Sequence, residues 1–382
     1  MYILGVTTTR ADFGILRPTF ERLAADGEIN FELVVTGTHL EEEFGFTKLE
    51  IEKTNLKIDH EIPLDISKNL NDGIGSIYSV AVYKFSKLFK TCKPDLILIL
   101  GDRYETHAIA TAATLENIAI AHAHGGEITE GAMDDALRHS ITKLAHLHFA
   151  SNEIHRNRII QMGESPKNTI LTGALAIESI FKIPLFSKAE LEKEIHFPFE
   201  NKDIFLVTYH PETRSDLPEK EQVRKLFDAL FRIENAKFIV TKANADEQGR
   251  EINQEIENLI SGRSDFLFIS NLGQKKYYSA IKIAAAVIGN SSSGIIEAPS
   301  FNTGTVNIGN RQKGRLASDS VIHCGFDSNE ILQAIHKAKS IKGMQFNNPY
   351  HFGNASEMIV DSIKSLYQKS ILFKKFHNID VR

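Results

Sequence analysis

With 382 residues, a formal charge of -5 and 42% hydrophobic content, the chain has the make-up of an ordinary globular protein, long enough for about two domains. The weak acidic balance argues against nucleic acid as the main partner. No apolar run approaches the roughly 18–20 residues of a membrane span, and Met1 leads into an apolar strand pattern without the features of a secretion signal. Cys92 and Cys324 lie far apart and suggest neither a disulfide framework nor a metal cluster. A cytoplasmic, reducing setting is expected.

In chain order, Tyr2–Thr7 reads as a strand, Ile15–Ala25 as a helix, Phe31–Val35 as a second strand and Ile77–Phe89 as a helix. Gly37 to Gly75 is rich in charged and turn-forming residues and is expected to be partly irregular, part of it a mobile lid. Leu96–Leu100 is a continuous apolar run, as in a parallel strand buried on both faces, and Asp102 and Arg103 follow it. Ile118–Ala121 is a shorter run that empties into His122, His124 and Glu127. The spacing of Met133, Leu137, Ile141 and Leu144 then predicts a helix over Ala132–Leu147. Strand, helix and strand patterns continue through Leu147–Ala150, Ile154–Met162 and Ile170–Leu171.

The alternation weakens from Ile180 to Lys202, where a domain boundary is expected. A second series runs through Ile204–Thr208, helix 220–232, Lys237–Thr241, helix 246–261, Phe266–Ile269, helix 274–284, Ala285–Ile288, helix 293–300 and Val306–Ile308. This order predicts an α/β protein with two Rossmann-like domains facing a cleft, residues 1–178 and 179–358. Residues 359–382 are expected to pack back on the first domain.

In parallel α/β sheets ligands sit at the carboxyl ends of the strands. Asp102, Arg103, His122, His124 and Glu127 should therefore face one crevice, with Asp134 and Asp135 near it. In the second half, Gly289-Asn-Ser-Ser-Ser-Gly breaks a strand and opens a helix, with Glu297 expected in its first turns. Free N–H groups and serine hydroxyls suit phosphate there; plain N-capping is the simpler reading. Neither G-x-G-x-x-G nor the P-loop pattern occurs, which leaves nicotinamide and Walker-type sites without support. Asp-x-Asp and H-E-x-x-H are absent too, so no metal is expected.

Gly101-Asp-Arg, His122-Ala-His-Gly-Gly-Glu, Asp134-Asp-Ala-Leu-Arg-His-Ser, His210-Pro-Glu, Gly289-Asn-Ser-Ser-Ser-Gly and Gly309-Asn-Arg-Gln-Lys-Gly-Arg together resemble the hydrolysing UDP-N-acetylglucosamine 2-epimerases of bacterial sialic- and legionaminic-acid synthesis. The resemblance spans nearly the whole chain. It implies the glycosyltransferase-B architecture, a UDP-sugar substrate, no cofactor or metal, and a homodimer or dimer of dimers. It also implies loss of the C2 proton with elimination of UDP to a glycal, followed by addition of water to give N-acetylmannosamine. Asp102 and Asp134 match the family's catalytic carboxylates and His210 its histidine. Arg10, Arg103, Asn244, Ser291, Ser292, Glu297 and Arg311 match positions that hold UDP, and Asp135 is grouped with them.

His124 stands where many relatives carry a glutamate. A histidine relays protons near neutral pH, with Glu127 close by, and such a change beside the reacting carbon fits a different 4-substituent, as in UDP-2,4-diacetamido-2,4,6-trideoxyglucose. Taken alone, Asp134 and Asp135 are ordinary dipole partners at a helix start, Asp135 and His139 an i,i+4 pair, and Arg103 a plain ion-pair partner. A glycosyltransferase, a non-hydrolysing epimerase and a nucleotide-sugar sensor are the rival functions.

Overall fold

A strand such as Leu96–Leu100 is apolar at every position, so both its faces need cover, and a parallel sheet between helices supplies it. The computed structural model describes residues 1–69, 72–129, 133–212, 215, 217–243, 247–270 and 272–379, with backbone alone at 247–250. The chain divides into two compact units, Met1–Ser179 with Tyr350–Arg382, and Ile180–Pro349. Asn244, expected in the substrate set, lies outside the described residues.

In the first unit β1 (Tyr2–Thr7), β2 (Asn30–Thr36), β3 (Ile58–Ile62), β4 (Leu96–Leu100), β5 (Ala119–Ala123), β6 (Leu147–Ala150) and β7 (Thr169–Leu171) lie in the order β3-β2-β1-β4-β5-β6-β7. Every pairing is parallel. The second unit holds β8 (Asp203–Thr208), β9 (Ala236–Thr241), β10 (Phe266–Ile269), β11 (Ala286–Gly289), β12 (Thr305–Ile308) and β13 (Val321–Cys324), ordered β10-β9-β8-β11-β12-β13 and again all parallel. Strand order reverses between β1 and β4 in one sheet and between β8 and β11 in the other. Crevices form at such switch points, so residues just after β4, β8 and β11 are placed to meet ligands.

The elements that sequence reading did not resolve share physical causes. β3 and β13 are edge strands, only partly buried, and an edge tolerates the charged and polar residues that hide a strand pattern. The helix Tyr104–Leu115 has buried residues around its circumference, among them Ala108, Ile109, Ala110, Ala112 and Ala113, so it shows no amphipathic period. Lys188–Ile195 is a helix inside the weak stretch, started by a capping box in which Ser187 and Glu190 exchange hydrogen bonds of 3.3 and 2.7 Å. The helix expected at 293–300 is corrected: it runs Ser292–Ile296, and a 3-10 turn takes over at Ala298–Phe301. Pro299 ends it, because a proline ring clashes with the carbonyl four residues back and disfavours helical backbone just before it.

The return to the first unit is also corrected, from residue 359 to Tyr350. Ala174 N–H donates to the Tyr350 carbonyl at 2.9 Å, and the buried Glu178 carboxylate accepts from Ser356 N–H at 2.7 Å and Ser356 Oγ at 2.6 Å. An acid at the start of the helix Ala355–Leu366 satisfies an otherwise unpaired N–H and favours the dipole. Ile359, Val360 and Ile363 then bury against the core that contains Leu16, Phe20 and Leu23.

The tail beyond that helix docks on a buried acid. Glu164 receives His148 Nε2 at 3.1 Å, Lys143 Nζ at 2.5 Å and Lys374 Nζ at 2.7 Å. Burial by itself would raise its pKa, but the hydrogen bonds and charges of His148, Lys143 and Lys374 outweigh this and hold it at about 2. A depressed carboxylate contributes stability above its unfolded value that is lost as pH falls through the folded one. On that basis Glu164 contributes on the order of 3 kcal/mol, lost between pH 4.5 and about 2. Glu164→Gln should flatten the pH dependence of urea unfolding over that window; an unchanged slope would detach the tail's docking from this charge.

Candidate active site

β4 is followed by Gly101, whose positive φ of 80° is the glycine-favoured region and turns the chain so that Asp102 leaves the sheet at the switch point. His122, fully buried in β5, pins this turn with a 2.7 Å hydrogen bond between its Nε2 and the Gly101 carbonyl. Burial pushes its pKa down to about 3, so the ring is neutral, and because a carbonyl only accepts, Nε2 carries the proton. The expectation that His122 faces the crevice is thus corrected: it is fully buried, a strut for Asp102.

The Asp102 carboxylate accepts from Arg138 Nη2, an ion pair between a buried guanidinium and a largely buried acid. Arg138 comes from the helix Met133–Leu144 and also donates to Thr129 Oγ1 at 3.2 Å. Burial raises the Asp102 pKa, Arg138 opposes the rise, and the neighbouring Asp134 and Glu127 add to it. Three carboxylates and one arginine thus interact in one place, and the repulsion between the acids disfavours the charged form of Asp102.

Glu127 is delivered by a tight turn. His124 adopts φ +62° and Gly126 φ +75°, and a side chain on Gly126 would run into the His155 carbonyl, so the second glycine of Gly125-Gly126 is obligatory there. Arg158 Nη1 caps the Gly126 carbonyl. The buried Glu127 accepts from Ser151 Oγ at 2.7 Å, and Ser151 Oγ lies 2.8 Å from His155 Nδ1. Since the serine proton is given to the carboxylate, His155 Nδ1–H donates to the serine, and the result is a continuous chain of proton carriers ending on Glu127. His124 accepts the Leu175 N–H at its Nε2, 3.2 Å away, and its Nδ1 faces Glu127 at 3.4 Å. Both ring nitrogens are engaged, one of them by Glu127.

The remaining first-unit candidates have protein partners. Asp135 accepts from Thr129 N–H at 2.8 Å and sits 3.6 Å from His139, the i,i+4 pair allowed for above. Arg103 forms a two-pronged ion pair with buried Glu105, at 2.9 and 3.2 Å. Arg10 opens the helix Arg10–Ala25 and pairs with Glu50 at 2.8 Å, with side-chain exposures of 43% and 45%. An exposed pair of this kind is worth little, so Arg10 is easily recruited by an anion.

In the second unit Asn290 is the knot that sequence reading passed over. Fully buried, it exchanges two 2.8 Å hydrogen bonds with the His210 backbone, and its own carbonyl accepts from Arg311 Nη1 at 3.0 Å and Gln312 Nε2 at 2.8 Å. One asparagine thereby ties the ends of β8 and β11 to the loop after β12. Arg311 N–H also donates to Glu212 Oε1 at 2.8 Å. Ser291 caps the short helix, accepting from Ser293 N–H at 3.3 Å, and Ser292 is its first residue. Glu297 sits at the helix end, not in its first turn; burial raises its pKa, and Tyr278 OH donates to it at 3.4 Å. A cavity of about 530 Å³ opens nearby, lined by Gly309, Lys313, Arg315 and His323 among others; it takes in none of the serines, and the switch-point chemistry locates the site better than cavity size does.

Gly289 makes the serine turn possible. Its φ is +132°, and a Cβ would overlap the Thr208 carbonyl of β8. Gly289→Ala should cost about 2–4 kcal/mol, from strain and overpacking. Thermal unfolding checks this; an unchanged midpoint would mean that the backbone of β8 yields to the added methyl.

A family model described as UDP-N-acetylglucosamine 2-epimerase matches residues 21–364. The chain belongs to the UDP-N-acetylglucosamine 2-epimerase family. It is 40% identical to the GDP/UDP-N,N'-diacetylbacillosamine 2-epimerase (hydrolyzing) of Campylobacter jejuni, over 88% of this chain and 86% of that one. It is 36% identical to the Polysialic acid biosynthesis protein P7 of Escherichia coli, over 99% and 97%, and 32% identical to the UDP-N,N'-diacetylbacillosamine 2-epimerase (hydrolyzing) of Legionella pneumophila, over 98% of each. The crystal structure of Neisseria meningitidis UDP-GlcNAc 2-epimerase bound to UDP-GlcNAc matches with a TM-score of 0.80 at 21% identity, over 96% of this chain and all of that one. That likeness establishes the two-domain, glycosyltransferase-B-like fold. This epimerase therefore has the α/β architecture that the alternation of strands and helices predicted. Among its described residues no helix is long and apolar enough to cross a membrane.

Proposed function

We propose that this epimerase is a hydrolysing UDP-sugar 2-epimerase whose sugar is the 2,4-diacetamido-2,4,6-trideoxy form of glucose. The observation that carries the reaction is the Asp102 carboxylate, set at the switch point, anchored by Arg138 and raised by burial among Asp134 and Glu127. The similarity to the Campylobacter and Legionella proteins supports the choice of sugar. UDP-N-acetylglucosamine, first in the reading of the motifs, is the second choice, supported by 30% identity to a Neisseria meningitidis protein named UDP-N-acetylglucosamine 2-epimerase.

In this mechanism an ionised member of the cluster, Asp102, takes the C2 proton. The C1–O bond breaks with its electron pair going to the β-phosphate, which leaves a glycal and UDP. Water then adds at C1 while a proton is returned to C2 on the opposite face. The two steps need a base and an acid in one site, and the neighbouring carboxyl groups of Asp102, Glu127 and Asp134 offer both. Glu127, fed through Ser151 and His155, suits the second proton transfer, and His124 positions Glu127. Ser291, Ser292 and Arg311 stabilise the departing diphosphate with donors and charge, while His210 stands beside them and Glu297 serves the ribose.

Proton NMR in deuterated water with each UDP-sugar tests this reading. Release of UDP and a manno-configured free sugar with deuterium at C2 is expected, faster with the 2,4-diacetamido substrate. A faster reaction with UDP-N-acetylglucosamine would reverse the order of sugars, and a UDP-linked product would overturn hydrolysis.

A further inference from the structure

Three metal-ligand side chains from separate segments meet on the first sheet, away from Asp102. Glu32 lies early in β2, His60 in β3 and Cys92 at the end of the helix Ile74–Cys92. His60 Nε2 is 2.7 Å from Glu32 Oε2 and 3.8 Å from Cys92 Sγ, and one donor atom of each lies within 4.8 Å of the others. Tyr2 OH donates to the same Glu32 oxygen at 2.5 Å. All three ligands are partly buried, so the cluster is sheltered but reachable.

We propose that Glu32, His60 and Cys92 bind a divalent ion of the zinc class, with a fourth position open to water. The donor set fits: a thiolate and a carboxylate cancel the ion's two charges, and imidazole completes a sulfur, nitrogen and oxygen set suited to zinc. The spacing fits as well. Tetrahedral zinc, with bonds of about 2.3 Å to sulfur and 2.0–2.1 Å to nitrogen, holds those two atoms about 3.6 Å apart, close to the observed 3.8 Å. The carboxylate has to withdraw by roughly half an ångström, from hydrogen-bond contact to ligand spacing. On binding, the Cys92 thiol proton is released to solvent, and the imidazole proton resides on Nδ1 so that the Nε2 lone pair meets the ion. Tyr2 holds Glu32 in place from outside, as second-layer partners of metal ligands do. Residues remote in sequence are thereby cross-linked, independently of the epimerase chemistry.

Cobalt(II) is the probe, added to the full chain freed of metal by a chelator. One equivalent should produce a near-ultraviolet thiolate-to-cobalt band and the intense visible bands of a tetrahedral ion, both erased by zinc. Cys92→Ser should abolish the ultraviolet band, Cys324→Ser should retain it, and His60→Gln should weaken binding roughly ten-fold or more. In the unmodified protein, zinc should slow alkylation of Cys92 at least ten-fold, reversed by chelator, which needs no variant to fold. Absence of the band, its survival in Cys92→Ser, or alkylation indifferent to zinc would overturn the site.

Discussion

Asp102→Asn should lower turnover by about 10²–10⁴-fold, the range that a positioned general base contributes, while the affinity for UDP stays within about two-fold. Asparagine keeps an acceptor for Arg138, so the buried guanidinium remains partnered and the fold survives. What is lost is the charge that receives a proton. UDP binding should persist because Ser291 and Arg311 are held by hydrogen bonds within the second unit, with Ser293 and Asn290, and Ser292 by the helix it opens. Steady-state rates with calorimetric titration of UDP decide the matter. A variant within ten-fold of the parent rate would remove Asp102 from the proton-transfer step and leave Glu127 or Asp134 to carry it.

Arg138→Met should have the second largest effect, and in a different currency. Breaking a buried ion pair by removing one partner costs about 3–5 kcal/mol when both are fully buried; Asp102, with 22% of its side chain exposed, should bring the loss to the low end of that range. Arg138 opposes the rise that burial imposes on Asp102, so its removal raises the Asp102 pKa further. If Asp102 must be ionised to accept the C2 proton, the rising limb of the pH–rate profile should move to higher pH. The stability consequence has the opposite sign from that at Glu164. A carboxyl raised in the folded state binds protons there more readily than when unfolded, so its penalty is complete above the folded pKa and disappears below the unfolded one. The variant should therefore regain stability as pH falls toward the ordinary carboxylate range. A pH–rate limb that did not move would mean that another acid sets it. Arg138→Lys, which restores charge without the fork, should recover part of both effects.

Arg138 illustrates why site residues escape a reading of sequence. It stands in a motif quoted for its aspartates, and only the helix that carries it reveals that it turns inward to Asp102. Ser151 and His155 were equally silent, because a serine after one strand and a histidine in the next helix become a relay only when β5 and β6 are paired. For His124 the sequence offered a proton carrier, while the fold occupies both of its nitrogens.

Much was nonetheless determined by sequence alone. Uninterrupted apolar runs such as Leu96–Leu100 require cover on both faces, and their alternation with helical periods leaves little but a doubly wound parallel sheet in each half. Glycines at 101, 126 and 289 mark places where the backbone turns into conformations, or approaches other strands, that a side chain would block. The tertiary structure decided the rest. Partly exposed edge strands β3 and β13 lack a continuous apolar signal, and the buried helix Tyr104–Leu115 lacks a period, so neither kind announces itself. Which acid is paired, which is raised and which is held by a backbone N–H depends on burial and on partners distant in the chain. Those are properties of assembled neighbours, and no local spacing of residues encodes them.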